Sequence, residues 1–178
     1  PMTAPDGAGP PPLAGQTVVV IGGSSGIGLE TARRARAGGA DVILAGRDPG
    51  RLSDAAHEVG AGLTAAFDAT DLGALDQFFA NLPGPVDHVM VTAGRPYYAP
   101  LADMDIADAA RYVADDVGLT LAVARHAAGT VRPGGTLLLM SGTGARRPAT
   151  GISVTALLTA GFPALTANLA LEIAPVRV

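Results

Sequence analysis

The sequence predicts an α/β domain built as a three-layer, doubly wound parallel sheet. Two observations carry that expectation. Short apolar runs alternate five times with longer helical patterns, and a glycine-rich turn joins the first run to the first helix. The composition is the third. With 178 residues, 48% hydrophobic and 16% charged, the chain can enclose one sizeable core, and no linker divides it beyond residue 16.

In chain order, Thr17–Ile21, Asp41–Ala45, Leu63–Phe67, His88–Val91 and Thr136–Met140 read as buried strands, because they are short, apolar and bounded by turn residues. Between them, Gly26–Ala37, Pro49–Val59, Leu72–Asn81, Ile106–Val131 and Ser153–Glu172 read as helices, with Gly38-Gly39 and Gly134-Gly135 as stop signals. Strand–helix alternation of this kind takes right-handed crossovers, puts helices on both faces of the sheet, and directs ligands to the carboxyl ends of the strands. The segment Pro1–Gln16 is rich in Pro, Gly and Ala and lacks an apolar signal core, so it is expected to be a disordered tail. Residues 17–178 are then a single domain.

Several function classes are excluded by what the chain lacks. Twelve Lys plus Arg against 16 Asp plus Glu give a net charge of -4, which offers no basic footprint for nucleic acid or an anionic membrane. There is no Cys, hence no thiol nucleophile and no Cys-ligated metal. His57, His88 and His126 lie far apart without ligand spacing, so no metal is expected. The most apolar stretch, Ile152 to Ile173, is interrupted by Gly161 and Pro163, and no membrane span is expected. A small-molecule substrate and a cytoplasmic setting are the expectation that remains.

The run Val18-Val19-Val20-Ile21-Gly22-Gly23-Ser24-Ser25-Gly26-Ile27-Gly28 places three glycines where a strand hands over to a helix. Gly22 permits a tight turn, Gly26 lets the backbone approach a pyrophosphate, and Gly28 lets the helix pack closely, while the helix N-terminus presents free N–H groups to an anion. The pattern sits after the first strand and is followed about 20 residues on by the end of the second, where a ribose is read. This is the fingerprint of a Rossmann-type dinucleotide site, and Ser24, Ser25 and Ile27 belong to it with the glycines. At the second strand's end, Ala45-Gly46-Arg47-Asp48 puts Gly46 where a carboxylate would bind a ribose 2′-hydroxyl, and Arg47 next to it suits a 2′-phosphate. NADP(H) is therefore expected over NAD(H).

At these residues the chain resembles the short-chain dehydrogenase/reductase family, whose T-G-x-x-x-G-x-G pattern is matched from Ile21 to Gly28 with Ile21 in place of Thr. The resemblance extends over Thr17 to Val178. It implies that Asp68, with Ala69 beside it, contacts adenine, and that Val91-Thr92-Ala93-Gly94 packs against the adenine ribose, the Ala93-Gly94 half of the family's N-N-A-G being kept. It also implies an oxidoreductase acting on a carbonyl/alcohol pair and a homo-oligomer formed through the two long helices.

The family's reacting residues are a Ser, a Tyr and Lys spaced Y-x-x-x-K, and an Asn. Matching from Leu169-Ala170-Leu171-Glu172, the Tyr and Lys positions fall on Thr155 and Thr159, the Ser position on Gly142 with Ser141 adjacent, and the Asn position on Asp116. A Thr hydroxyl is a far weaker acid than a phenol near a lysine, so an atypical or impaired site is expected. Substitute acids are Tyr97, Tyr98 and Asp116, and Arg146 and Arg147 are candidates for a substrate carboxylate or phosphate. The family's domain continues past the point matched by Val176-Arg177-Val178, so the C-terminal strands are expected to be missing. Two readings follow: an NADP(H)-dependent oxidoreductase, or a non-catalytic NADP(H)-binding sensor or scaffold.

Overall fold

The computed structural model describes residues 11–178. The strands are β1 (Thr17–Ile21), β2 (Asp41–Gly46), β3 (Leu63–Ala66), β4 (Val86–Val91) and β5 (Val131–Leu139). The helices are α1 (Gly26–Ala37), α2 (Pro49–Val59), α3 (Leu72–Ala80), α4 (Ile106–Thr130) and α5 (Ser153–Glu172). The strands form one parallel sheet in the order β3-β2-β1-β4-β5. Chain direction across the sheet reverses between β1 and β4, the switch point at which a doubly wound sheet opens a crevice.

Alternation along β1 builds the three layers. Val18 and Val20 point to one face, where Val42, Leu44 and the buried sides of α1 and α2 (Ala32, Ala35, Leu52, Ala55) enclose a core. Val19 and Ile21 point to the other, against Leu75, Phe78 and Phe79 of α3, Leu119 and Val123 of α4, and Leu169 of α5. Leu75 and Val123 are fully buried, so truncating either to Ala is a cavity-forming change worth about 2–5 kcal/mol for the Leu.

Three departures from the sequence expectation have physical causes. The part of the expected tail that is described, Pro11–Gln16, turns back on the domain: the Leu13 amide donates to the Gly38 carbonyl at 2.8 Å and the Leu13 side chain packs on the α1–α2 core. Residues 1–10 lie outside the described residues. Second, β5 starts at Val131, five residues before the expected Thr136. Val131 pairs with Val86 and Thr136 with His88, so the intervening residues bulge, with Gly134 at φ +81° and a Cβ on Gly135 colliding with the Asp87 carbonyl. The two glycines mark that bulge within the strand, where a helix stop was expected. Third, α5 runs unbroken through Gly161 and Pro163 and is the one helix among the described residues long and apolar enough to cross a membrane. Its Leu169 is nevertheless packed into the core beneath the sheet.

The last residues align along β5: the Leu137 amide donates to the Arg177 carbonyl at 2.7 Å and the Arg177 amide to the Gly135 carbonyl at 2.9 Å. Arg177 thus forms a single parallel bridge to Thr136 on the outer edge of β5.

Candidate cofactor and substrate site

The turn between β1 and α1 is shaped by contacts that leave no space for side chains. Gly22 has φ +96°, and a Cβ there would come within 2.6 Å of the Ala93 nitrogen and of the Thr92 hydroxyl. A Cβ on Gly28 would collide with the Gly22 carbonyl and the Thr92 hydroxyl, which itself donates to the Gly22 carbonyl at 3.0 Å. The Gly22 and Gly23 amides donate to the Ala45 carbonyl at 2.8 and 3.0 Å, and the Thr92 amide to the Ile21 carbonyl at 2.8 Å. The ends of β1, β2 and β4 are thus tied into one floor. Gly26, by contrast, has φ +55° and open space where its Cβ would be.

Above this floor α1 begins without a cap. Asp48 caps α2 by accepting from the Arg51 amide at 2.9 Å, and Asp71 and Asp105 do the same for α3 and α4. Ser25, at the same position of α1, makes no side-chain hydrogen bond, and no acid lies in that helix's first turn. The α1 amides therefore remain available to an anion, and the positive end of the helix dipole is uncompensated. The pyrophosphate of a dinucleotide fits a cradle of this kind.

A cleft of about 640 Å³ opens here, lined by Gly22, Ser24, Ser25, Arg47, Asp68, Ala69, Ala93 and Gly94 of the expected cofactor residues, together with Arg51. Gly26, Ile27 and Gly28 form the first turn of α1 and are not among the residues that line the cleft; Ile27 is 60% exposed. At the far end Arg47 lies 3.9 Å from the Asp68 carboxylate. Asp68 accepts from the Thr70 amide at 3.0 Å and the Thr70 hydroxyl at 2.8 Å; these bonds, and then the Arg47 charge, hold its carboxyl below the usual range. Gly46 has Ser24 packed over it, the Ser24 hydroxyl lying 3.0 Å from where a Cβ would stand.

A second cavity of about 530 Å³ continues from the first, sharing Thr92, Gly94, Tyr98, Tyr112 and Asp116. Ser141, Gly142, Thr155 and Thr159 line it, so the structure brings together the positions singled out by the resemblance. Both threonine hydroxyls are engaged by backbone. Thr155 donates to the Tyr97 carbonyl at 2.7 Å, and Thr159 accepts from the Ala145 amide at 2.9 Å while donating to the Ala156 carbonyl at 3.2 Å. Their work is to fasten the loops after β4 and β5 to α5.

The substitute acids separate clearly. Tyr97 packs its ring on Tyr112 with centroids 5.4 Å apart and turns its hydroxyl to the Asp105 carbonyl at 3.4 Å. Tyr98 is 66% exposed at the rim of both cavities. Asp116 faces both cavities, half-buried; its carboxyl has no hydrogen-bond or ion-pair partner among the described residues, and burial pushes it above the ordinary value. Tyr112, one turn before it on α4, was not singled out by the sequence; burial, and after it the Asp116 charge, raises its phenol. The i, i+4 spacing of Tyr112 and Asp116 on one helix face was the signal available. Of the two loop arginines, Arg147 lines the second cavity and Arg146 does not.

Comparison with known proteins agrees with this geometry. A family model described as enoyl-(acyl carrier protein) reductase matches residues 21–178. A short-chain dehydrogenase/reductase of Stachybotrys chlorohalonatus is 31% identical over 94% of this chain and 72% of its own length. The chain belongs to the short-chain dehydrogenase/reductase family. A fatty acyl-CoA reductase of Acinetobacter baylyi is 40% identical over 43% of this chain, which spans 28% of that relative. Among solved structures, a short-chain dehydrogenase/reductase family protein superposes with a TM-score of 0.83 at 33% identity, over 94% of this chain and 73% of the other. One from Serratia marcescens gives 0.85 at 26% identity, over 93% and 72%. The five-stranded parallel sheet is accordingly the short-chain dehydrogenase/reductase form of the Rossmann fold, and the family as a whole uses a nicotinamide dinucleotide.

Proposed function

We propose that the chain binds NADP(H) in preference to NAD(H) and acts as an oxidoreductase on a carbonyl/alcohol pair, with Asp116 as the proton donor. The observation that carries the reading is the uncapped N-terminus of α1 facing a cleft whose other end holds Arg47 and Arg51. The α1 amides hold the pyrophosphate, and the two guanidiniums hold a 2′-phosphate. Asp48, next to Arg47 in the chain, is occupied in capping α2, and Gly46 presents no carboxylate to repel the phosphate. When bound, the cofactor supplies or accepts the hydride. In the reduction direction Asp116 gives its proton to the substrate oxygen and recovers one from water through the open cavity; in oxidation it receives that proton. Thr155 and Thr159 are too weakly acidic for this, and their hydroxyls are already engaged by backbone.

A second reading, a non-catalytic NADP(H)-binding sensor or scaffold, is favoured by that same engagement of the two threonines. Titration with each cofactor, followed by the nicotinamide absorbance over a panel of ketones, aldehydes and alcohols, distinguishes them. Expected are NADP(H) binding about tenfold or more tighter than NAD(H), an advantage lost in Arg47→Gln, and turnover that falls roughly 10²–10⁴-fold in Asp116→Asn. Tighter NAD(H) binding overturns the cofactor assignment; binding without any absorbance change leaves the sensor reading.

Self-association through α4 and α5 belongs to the same proposal. Only 6% of the most apolar window of α5 is buried within the chain, and Leu157 and Leu171 are 64% and 80% exposed. Light scattering is expected to give a dimer or larger species, and a stable monomer overturns it.

A further inference from the structure

We propose that the second cavity selects a substrate with an apolar body and a terminal oxyanion, a carboxylate or phosphate monoester, gripped by Arg95 and Arg147; this rests on the oxidoreductase reading above for the word substrate. The cavity lining has two chemical components. Ile152, Leu158 and Phe162 supply apolar surface from α5 and its start, while Arg95 and Arg147 come from the loops after β4 and β5. Neither guanidinium has an ion-pair partner among the described residues, whereas Arg47 and Arg51 in the neighbouring cleft stand 3.9 Å from Asp68 and from Asp48 respectively. Asp116 is the sole acid in the lining of this cavity, and burial favours its neutral form. A protein of net charge -4 thus sets two arginines without ion-pair partners among the described residues against a single acid, Asp116, in the lining of a partly apolar cavity.

The volume of about 530 Å³ lies within the range of small-molecule sites. An oxyanion held by the two guanidiniums gains charge-assisted hydrogen bonds that a neutral ester of the same shape lacks, while the hydrocarbon body is driven onto Ile152, Leu158 and Phe162 by loss of water. Selectivity for the anion then comes from Arg147, which lines this cavity alone, and Arg95, which stands at the junction of both.

Calorimetric titration of the full chain, with and without NADP+, uses octanoate, octyl phosphate and methyl octanoate as probes. At least one of the two anions is expected to bind about tenfold or more tighter than the ester, octanoate pointing to carboxylate substrates and octyl phosphate to phosphate monoesters. Arg147→Gln is expected to remove most of that advantage with the NADP+ affinity unchanged, Arg147→Lys to keep part of it, and rising salt to erode it in the unaltered protein. The proposal is overturned if the ester binds as tightly as both anions, if none of the three binds, or if the advantage survives in the Arg95→Gln, Arg147→Gln double variant. Failure of NADP(H) to bind while the anion advantage persists sinks the oxidoreductase reading and leaves this one; the reverse result sinks this one alone.

Discussion

The adenine-side and reaction-side halves of the cleft are built from different materials. On the adenine side the backbone is the binding surface: α1 presents unpaired amides, Gly22 and Gly28 close on the Thr92 hydroxyl, and the ends of three strands are tied together by amide–carbonyl bonds. On the reaction side the surface is side chains delivered by α4, α5 and the loops after β4 and β5. Backbone sites tolerate almost no change at a few positions and nearly any change elsewhere. A side-chain site can keep its shape while its chemistry is replaced: the Thr155 and Thr159 hydroxyls hold the loops in place at positions where the sequence resemblance implies a phenol and an ammonium.

The contrast can be broken first at the glycines, where the largest effect is expected. Gly28→Val forces two methyl groups into the Gly22 carbonyl and the Thr92 hydroxyl, and the β1–α1 junction must part to admit them. The cost is about 3 kcal/mol or more, read as a lower urea midpoint, with cofactor binding lost. Gly26→Val separates fold from binding. Its Cβ meets nothing within 4 Å, so the penalty is chiefly that of a β-branched residue at φ +55°, about 1–2 kcal/mol, yet the glycine fingerprint calls for bare backbone at this position to admit the pyrophosphate. The expected outcome is a folded domain that binds neither cofactor. If Gly26→Val binds NADP(H) normally, the backbone cradle is not the anion site.

The same difference in materials decides how much was legible in the sequence. All five strands and five helices were readable, because apolar runs, aspartate caps and glycines leave marks at fixed spacing; α1, α2 and α5 have the bounds that the pattern implies. The glycine turn was readable for the same reason. Gly134-Gly135 was misread because a bulge and a helix stop both call for a residue of unusual φ, and only the partner strand, through Val86 and His88, tells them apart. Leu13 was hidden in a Pro- and Ala-rich segment whose composition says nothing about a single anchoring contact. In the second cavity, pattern matching had singled out Asp116, Ser141, Thr155 and Thr159, which do line it together, but that the two threonine hydroxyls bind Tyr97 and Ala145 depends on loop paths without periodicity. Tyr112 was missed because its role comes from packing against Tyr97, fifteen residues away in the chain.

The smallest expected effect, and the one that probes the side-chain half most directly, is the pH dependence of stability at Asp116. Loss of water around the half-buried carboxyl disfavours its charged form and raises its value above the ordinary 3.8. The folded protein then holds this proton more tightly than the unfolded chain does, so the contribution to stability is fully present below pH 3.8 and is lost as pH rises through the elevated value. Asp116→Asn keeps the shape and removes the titration. Denaturant midpoints of the two proteins should therefore diverge as pH rises from acid to neutral, with the Asn variant gaining a small advantage at neutral pH that disappears in acid. Parallel curves would mean that Asp116 has an ion or hydrogen-bond partner in solution that offsets its burial, and proton donation would then have to be sought at Tyr98, on the rim of the same cavity.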